Sequence, residues 1–170
     1  EYKSARESTL TSFYTSPVVI ESIYKALNNL GFRHGNILEP SCGIGNFFGK
    51  LPDEMKDSKM YGVELDSISG RIAKQLYQNS NIAIEGYEET KLPDSFFDVA
   101  VGNVPFGNFK VVDKKYDRLN FNIHDYFFAK ALDKVKVGGV VAFITTKGTM
   151  DKMSSDVREY LAKRANLLGA

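Results

Sequence analysis

Short apolar segments alternate with amphipathic segments along most of this chain, and this alternation restricts the possible folds more than any other feature. The run Phe97–Val101 is continuously apolar apart from one acid, which is typical of a strand buried on both faces of a parallel sheet. The predicted strands are Asn36–Glu39, Lys59–Glu64, Asn81–Ile84, Phe97–Val101 and Val140–Thr145. The predicted helices begin at Pro17, fill the interval between the first glycine turn and Pro52, and span Ile68–Tyr77, Asp125–Val135 and Ser154–Arg164. We therefore predict an α/β fold with a doubly wound, mostly parallel sheet and right-handed crossovers.

The size and composition of the chain favour one domain. It has 170 residues, of which 43% are hydrophobic, and we assign residues 1–170 to a single domain with one core. Lysine and arginine number 22 against 21 acidic residues, so net charge alone does not indicate nucleic acid. The single cysteine, Cys42, excludes an internal disulfide and favours a reducing compartment. The lack of a long apolar run or a signal-peptide pattern predicts a cytoplasmic protein with no membrane partner. Both ends of the sequence look like cuts within a longer chain.

A glycine turn leaves the first predicted strand, in the run Glu39-Pro40-Ser41-Cys42-Gly43-Ile44-Gly45-Asn46-Phe47. Ligands of parallel α/β sheets bind beyond the carboxyl ends of the strands. Gly43 and Gly45 remove Cβ atoms where the backbone bends and comes close to a small ligand. A dinucleotide-binding turn has a third glycine, but Phe48 stands in that place, and the sequence has no phosphate-binding loop. The turn therefore indicates a small cofactor other than NAD, with an ordinary strand–helix turn as the alternative.

An acidic residue follows the second predicted strand. Glu64 lies about 20 residues after the glycine turn, a position from which a carboxylate accepts hydrogen bonds from both hydroxyls of a ribose. A solvated acid at the end of a strand is the alternative. Asp66 is better explained as the N-cap of the next helix.

A second turn, Asn103-Val104-Pro105-Phe106, leaves the fourth predicted strand. It places a side-chain amide, a backbone carbonyl and an aromatic ring close together in the sequence. Two acceptors on the two N–H bonds of an aromatic amine localise its lone pair, so the nitrogen becomes a better nucleophile without a strong base. The ring can stack on a base that has been flipped out of a duplex. An ordinary Asn-x-Pro turn is the alternative.

Taken in this order, the two turns resemble those of the S-adenosylmethionine-dependent DNA adenine-N6 methyltransferases. The upstream run Phe13-Tyr14-Thr15-Ser16-Pro17 is similar to the Tyr/Phe-Thr-x-Pro segment of that family. The arrangement is similar to that of type I modification subunits and of the methylase-helicase proteins of phages and conjugative elements. The resemblance implies a Rossmann-like class I methyltransferase fold that is truncated before its last strands, with the target-recognition region elsewhere. It also implies DNA as the partner of the full-length protein, together with fused or associated helicase or specificity regions.

The resemblance implies a set of residues that bind S-adenosylmethionine. Glu39 is the acid that meets the methionine amino group, and Glu64 is the acid that binds the ribose. Many family members have Gly-Asp-Phe after the third strand, where this chain has Glu85-Gly86-Tyr87-Glu88, so the residue that contacts the cofactor adenine stays open. The residues predicted to bind the cofactor are Tyr14, Thr15, Glu39, Pro40, Ser41, Gly43, Gly45, Asn46, Phe47, Glu64, Leu65, Tyr87 and Glu88.

The resemblance also implies a catalytic role for the second turn. Asn103 supplies the amide oxygen, Val104 the backbone carbonyl and Phe106 the stacking ring, with Pro105 between them. Family members often have a second proline in place of Val104, and valine keeps the carbonyl. The predicted reaction is transfer of the methyl group of S-adenosylmethionine to the exocyclic amine of a flipped-out adenine in DNA. A protein-glutamine methyltransferase, an RNA adenine-N6 methyltransferase and an inactive cofactor- or DNA-binding module are the alternatives.

The stretch from Asn108 to Asn122 is long for a loop and is predicted to be functional or mobile. Its basic residues alternate with aromatic ones, a composition that suits contact with a nucleic-acid backbone, with a solvated loop as the alternative. The residues predicted for that contact are Lys110, Lys114, Lys115 and Arg118. His34 and His124 have no partners at metal-ligand spacing, so we predict structural roles for both and no metal site.

Overall fold

The computed structural model describes residues 15–170, which form one five-stranded sheet flanked by helices. The strands are β1 (Asn36–Glu39), β2 (Lys59–Val63), β3 (Asn81–Ala83), β4 (Phe97–Asn103) and β5 (Val135–Ile144). The helices are α1 (Pro17–Asn29), α2 (Asn46–Gly49), α3 (Ser67–Leu76), α4 (Ile123–Lys134) and α5 (Asp156–Ala162). The sheet order is β3-β2-β1-β4-β5, and every neighbouring pair is parallel. The predicted parallel α/β sheet is confirmed.

Two apolar clusters cover the two faces of the sheet. Neighbouring residues of β1 belong to different clusters, because Ile37 packs with side chains of α1 and α2 whereas Leu38 packs with side chains of α4. Successive side chains of a strand point to opposite faces, so helices cover both sides, as a doubly wound fold requires. In α1 the buried residues Ile20, Tyr24 and Leu27 lie on one side of the helix. Burial of each such side chain contributes roughly 1.5–3 kcal/mol.

The fifth strand begins earlier than the sequence predicts. Its predicted start is Val140, but β5 begins at Val135, directly after α4, because Val135 pairs with Phe97. The next aligned pair joins Val140 to Val99. The residues between these two pairs form an irregularity in which Gly138 has a φ of +82°. Gly138 and Gly139 therefore belong to a bulge within the strand.

The fourth strand ends later than the sequence predicts. Its predicted end is Val101, but β4 continues to Asn103, because Asn103 pairs with Ile144 of β5. The second turn singled out in the sequence therefore starts inside the sheet. All strands are parallel, so this turn and the loops after Glu39 and Val63 leave the sheet at the same edge.

The segment between β4 and α4 is anchored at both ends. Within it the structure has one short helical turn, the 3₁₀ turn Asp117–Leu119, and the Ile123 N–H donates to the Phe109 carbonyl at 2.9 Å.

None of the helices in residues 15–170 has the length and apolar composition that crossing a membrane requires.

Candidate active site

The two turns singled out in the sequence lie side by side at the carboxyl edge of the sheet. β1 and β4 are neighbours, with Leu38 paired to Ala100, so Glu39 and Gly102 come next to each other. A Cβ atom on Gly102 would lie 3.4 Å from the Cγ atom of Glu39. Gly102 also has a φ of +150°, which residues with a side chain rarely adopt. A glycine at this position therefore lets the end of β4 fit against the predicted cofactor acid.

The glycine turn after β1 is held against the end of β2. The Cys42 N–H donates to the Val63 carbonyl at 2.9 Å, and the Gly45 N–H donates to the Cys42 carbonyl at 2.8 Å. Gly43 has a φ of +55°, and beyond its chain neighbours no described atom lies within 4 Å of its Cβ position. Gly45 has a φ of +88°, but a Cβ atom there would come within 2.4 Å of the Tyr77 ring. Gly43 thus has the open space that the predicted ligand needs, whereas packing against Tyr77 is an additional reason for glycine at position 45.

Glu64 joins the glycine turn to the end of β2. Its carboxylate accepts hydrogen bonds from the Gly43 N–H at 2.7 Å and from the Asp66 N–H at 2.8 Å. Burial raises the pKa of Glu64, and these two N–H donors oppose the shift. Each carboxylate oxygen has a further acceptor position, so Glu64 can also accept hydrogen bonds from a ligand. Asp66 caps α3 by accepting a bond from the Ser69 N–H at 2.8 Å, which confirms the predicted N-cap.

Glu39 is a buried acid with an unused acceptor. The residue is 3% exposed, and its Oε2 atom has no hydrogen-bond partner among the described residues. Burial, and then the negative charge of Glu64, raise the pKa of Glu39 well above its ordinary value. A buried carboxylate is stabilised by a cation that also donates hydrogen bonds. An ammonium group has both properties, so Glu39 fits the methionine end of S-adenosylmethionine.

The other residues predicted for the cofactor are divided between the surface and the core. Leu65 is 74% exposed. The rings of Phe47 and Tyr87 are buried in the two apolar clusters, where they pack against other aromatic side chains. These two residues can therefore contact a ligand through backbone groups rather than through their rings. Pro40 is buried, and the partly buried members of the set are Thr15, Ser41, Asn46 and Glu88. Tyr14 lies outside the described residues, and the cofactor contacts of the whole set stay predictions.

The turn after β4 is fixed by backbone pairing. Asn103 pairs with Ile144, and the next amide, the Val104 N–H, donates to the Ile144 carbonyl at 3.1 Å. The Val104 side chain is buried, Pro105 is partly buried, and Phe106 is 38% exposed. Proline has no N–H, so the valine that departs from the family pattern supplies a hydrogen bond that proline cannot make. This bond to β5 restrains the turn in place of the second proline.

Buried polar groups lie on α4 and in the loop after β5, which begins with Thr145, directly after Ile144. Both ring nitrogens of His124, one carboxylate oxygen of Asp125, and the hydroxyls of Thr145 and Thr149 find no hydrogen-bond partner within residues 15–170. The Nε2 atom of His124 lies 3.5 Å from a carboxylate oxygen of Asp125, which forms an ion pair with Lys152. Burial lowers the pKa of His124. Spacing along the sequence gives no signal for this cluster, because its members come from α4 and from the loop after β5.

The basic residues predicted to contact nucleic acid have different surroundings. Lys115 forms ion pairs with Asp94 at 3.0 Å and with Asp133 at 2.7 Å, so its charge is engaged within the protein. Lys110 donates to the side chain of Asn120 at 2.5 Å. Lys114 and Arg118 are exposed. Phosphate contact by these residues stays a prediction, and it suits Lys114 and Arg118 best.

The chain is similar to phage and viral proteins of much greater length. It is 32% identical over 168 residues to the Defense against restriction protein B of Escherichia phage P1, a match that covers 95% of this chain and 7% of that protein. It is 28% identical over 138 residues to the Modification methylase CviBIII of Paramecium bursaria Chlorella virus NC1A, covering 78% of this chain and 36% of that protein. The chain therefore spans only a minor part of the length of these relatives.

Solved structures and a family match agree with the fold. An S-adenosylmethionine-dependent O-methyltransferase from Thermotoga maritima aligns with a TM-score of 0.60 at 14% identity, over 89% of this chain and 51% of that chain. A TehB-like S-adenosylmethionine-dependent methyltransferase from Corynebacterium glutamicum aligns with a TM-score of 0.57 at 16% identity, over 95% and 79%. These likenesses show the class I methyltransferase fold. Residues 46–168 match the Eco57I restriction-modification methylases, from α2 to beyond α5, and the chain therefore belongs to the Eco57I restriction-modification methylase family.

Proposed function

We propose that the full-length protein transfers the methyl group of S-adenosylmethionine to the exocyclic amine of an adenine in DNA. The observation that carries the proposal is the meeting of two groups at one edge of the sheet, the buried acid Glu39 and the turn that begins at Asn103. Gly102 lies between them, and a Cβ atom there would lie 3.4 Å from Glu39. A cofactor bound by the first group and an amine bound by the second would meet at this edge. The restriction-modification description of the family supports DNA as the substrate.

On the cofactor side, the acids of this chain supply complementary charge and acceptors. Glu39 would accept a hydrogen bond from the ammonium group of the cofactor. Glu64 would accept bonds from the ribose hydroxyls, while its bonds to the N–H groups of Gly43 and Asp66 hold the carboxylate in place. The exposed side chain of Leu65 offers an apolar surface for the cofactor adenine. When bound, S-adenosylmethionine supplies an electrophilic methyl group on a sulfonium.

On the substrate side, Asn103 and Val104 would hold the amine of the target base. The Asn103 amide oxygen and the Val104 carbonyl would accept hydrogen bonds from its two N–H bonds, which localises the nitrogen lone pair. The bond from the Val104 N–H to Ile144 restrains this carbonyl before a base arrives, so little reorganisation is needed. The partly exposed ring of Phe106 offers a stacking surface to the flipped base.

Recognition of the target sequence is proposed to lie elsewhere in the full-length protein. This chain spans 7% of the length of its phage P1 relative, and its 22 basic residues are balanced by 21 acidic ones. Binding of DNA by a nearly neutral surface is weak, because phosphate contacts by lysine and arginine supply most of the nonspecific affinity. We expect Lys114 and Arg118 to contribute phosphate contacts and fused or associated regions to read the bases.

The test is methylation of DNA by the full-length protein and its Asn103→Ala variant. The variant should lose about 100- to 1000-fold in rate, the usual effect of removing one preorganised polar contact to a transition state. Its affinity for S-adenosylhomocysteine should stay within a few-fold of the parent, because the lost bond is made to the base. Asn79→Ala is the matched control, since Asn79 is an exposed amide just before β3, at the opposite edge of the sheet from the two turns. N6-methyladenine is measured by mass spectrometry, with RNA and peptide substrates in parallel.

Three outcomes would contradict this function in different ways. Equal N6-methyladenine production by the parent and the Asn103→Ala variant would remove Asn103 from catalysis. Loss of cofactor affinity in that variant would move Asn103 to the cofactor pocket. Methylation of RNA or of a glutamine side chain, with none of DNA, would reassign the substrate.

A further inference from the structure

Lys130 is a buried cation on α4 that bonds to two segments distant from it in sequence. The residue is 3% exposed, and its Nζ atom donates to the Tyr87 carbonyl at 2.6 Å and to the Asp113 carboxylate at 3.0 Å. The Glu88 carbonyl lies 3.4 Å from the same nitrogen. Tyr87 and Glu88 are among the residues predicted to bind the cofactor, and Asp113 belongs to the segment predicted to contact nucleic acid. One ammonium group therefore joins the two.

The surroundings of Lys130 satisfy a charge that would otherwise be costly to bury. An ammonium group has three N–H donors, and each has an oxygen acceptor here. The ring of Tyr87 also lies beneath it, with its centroid 4.9 Å from Nζ. Burial lowers the pKa of Lys130, and the hydrogen bond that it donates to Asp113 opposes that shift. Removal of one partner of a buried pair is strongly destabilising, so these contacts hold both segments against α4.

Asp113 is itself shared between α4 and its own segment. Besides Lys130, the Tyr126 hydroxyl donates a hydrogen bond to the Asp113 carboxylate at 2.8 Å. Tyr126 lies on the same face of α4 as Lys130. The Asp113 carbonyl also accepts bonds from the N–H groups of Tyr116 and Asp117. Displacement of Asp113 would therefore release the turn that orders the middle of residues 108–122.

A second buried lysine one turn along α4 provides an internal comparison. Lys134 is 7% exposed, and its Nζ atom donates to the Leu92 carbonyl at 2.6 Å and to Asp94 at 2.7 Å. Its partners follow the cofactor-side turn, Tyr87–Glu89, instead of lying in it. Asp94 also pairs with Lys115, so Lys134 reaches residues 108–122 only through an exposed pair of side chains, whereas Lys130 binds Asp113 directly. Lys134 thus matches Lys130 in burial, charge and helix, but differs in the segments it joins.

We propose that Lys130 is a positioning residue that couples the cofactor-side turn, Tyr87–Glu89, to the segment 108–122. The coupling rests on the proposed function, because it assigns one segment to the cofactor and the other to nucleic acid. A cofactor that orders the first segment orders the second through Lys130. Coupling between two binding sites is reciprocal, so DNA must strengthen cofactor binding by the same factor.

The coupling is measured on the full-length protein as the ratio of DNA dissociation constants without and with S-adenosylhomocysteine. For the parent we expect a ratio of about 5 or more, the lower end of typical coupling. Lys130→Met should bring the ratio close to 1, whereas Lys134→Met should keep the parent ratio although both variants lower the melting temperature. Asp113→Asn keeps the bonds from Lys130 to the cofactor-side turn, and should reduce the ratio while leaving affinity for S-adenosylhomocysteine unchanged. A parent ratio of 1, or equal loss in the Lys134→Met variant, would overturn the proposal.

Hydrogen exchange without any ligand separates this inference from the proposed function. Lys130→Met should speed exchange at the amides of Glu89, Thr90, Tyr116 and Asp117 together, since these close the two segments. Lys134→Met should speed exchange at Ser95 and Phe96, whose N–H groups donate to the carbonyls of Asp133 and Lys134, and leave those four amides unchanged. The same exchange pattern in both variants would refute the coupling, whatever substrate the enzyme methylates. If Lys130→Met does not fold, Asp113→Asn is decisive. It should speed exchange at Tyr116 and Asp117 and leave Glu89 and Thr90 protected. Unchanged exchange at both pairs of amides would refute the link from Lys130 to the segment 108–122.

Discussion

Replacement of Glu39 by glutamine tests the role proposed for this buried acid in binding the cofactor. Glu39→Gln keeps the shape of the side chain and removes its negative charge. The residue is 3% exposed, and one of its oxygens has no hydrogen-bond partner in the described part of the chain. An ammonium group placed there would make a charge-assisted bond, and such bonds contribute about 1.5–3 kcal/mol. The variant should therefore bind S-adenosylhomocysteine about 10- to 100-fold more weakly than the parent.

The same residue predicts a pH dependence of cofactor binding. Burial, and then the charge of Glu64, raise the pKa of Glu39 in the protein without ligand. A bound ammonium group favours the ionised carboxylate and lowers that pKa. Binding should therefore release a proton between the ordinary and the raised pKa of Glu39, and affinity should rise with pH across this window.

The stability of the protein without ligand should change in the opposite direction. Because the pKa of Glu39 is higher in the folded than in the unfolded chain, the folded state binds the proton more tightly. The contribution of Glu39 to stability is therefore lost as pH rises from its ordinary pKa to the raised one. Glu39→Gln has no proton to lose, so above this window it should be at least as stable as the parent while binding cofactor more weakly.

Isothermal titration calorimetry with S-adenosylhomocysteine, in two buffers of different ionisation enthalpy, measures affinity and proton release together. Glu54→Gln is the matched control, because Glu54 is exposed and lies away from the sheet edge. Unchanged affinity in Glu39→Gln, with the same proton release as the parent, would refute the reasoning. Chemical denaturation at several pH values supplies the stability comparison.

Two further predictions concern backbone positions at the site. Gly45→Ala should lower the free energy of unfolding by roughly 1–3 kcal/mol more than Gly43→Ala, because both have a positive φ but only position 45 faces the Tyr77 ring at 2.4 Å; equal urea midpoints would contradict this. Val104→Pro removes the N–H that donates to the Ile144 carbonyl, so it should lower the free energy of unfolding by about 0.5–1.5 kcal/mol, measured by chemical denaturation. It should also slow DNA methylation by the full-length protein. A faster variant would show that the rigidity of proline outweighs the bond to β5.

The parts of the fold that depend on local pattern could be predicted from the sequence. The parallel sheet follows from apolar strands alternating with helices, and the Asp66 cap follows from an acid just ahead of a helix. The start of β5 could not be predicted, because it depends on the pairing of Val135 with Phe97 across the sheet. Strand bounds set by such distant partners leave no mark in the residues nearby.

The candidate site shows the same division. The order of the two turns indicated which residues to examine, and the parallel sheet brings Glu39 and Gly102 together. Lys130 could not be identified in this way, because a lysine on a helix normally indicates a solvated position. Its burial depends on acceptors supplied by Tyr87 and Asp113, which lie far from it along the chain.

The bulge in β5 has a practical consequence for protein engineering. Between the pairs Phe97–Val135 and Val99–Val140, β4 advances by two residues and β5 by five. The bulge at 136–139 therefore gives β5 three more residues than β4 in this interval. Residues 136–139 are exposed, and Val137 is fully exposed. Beyond the bulge the pairing is regular up to the last pair of the sheet. A short epitope or fluorophore-labelling sequence inserted at Val137 should therefore lengthen the bulge without moving the pairs that precede the turn after β4.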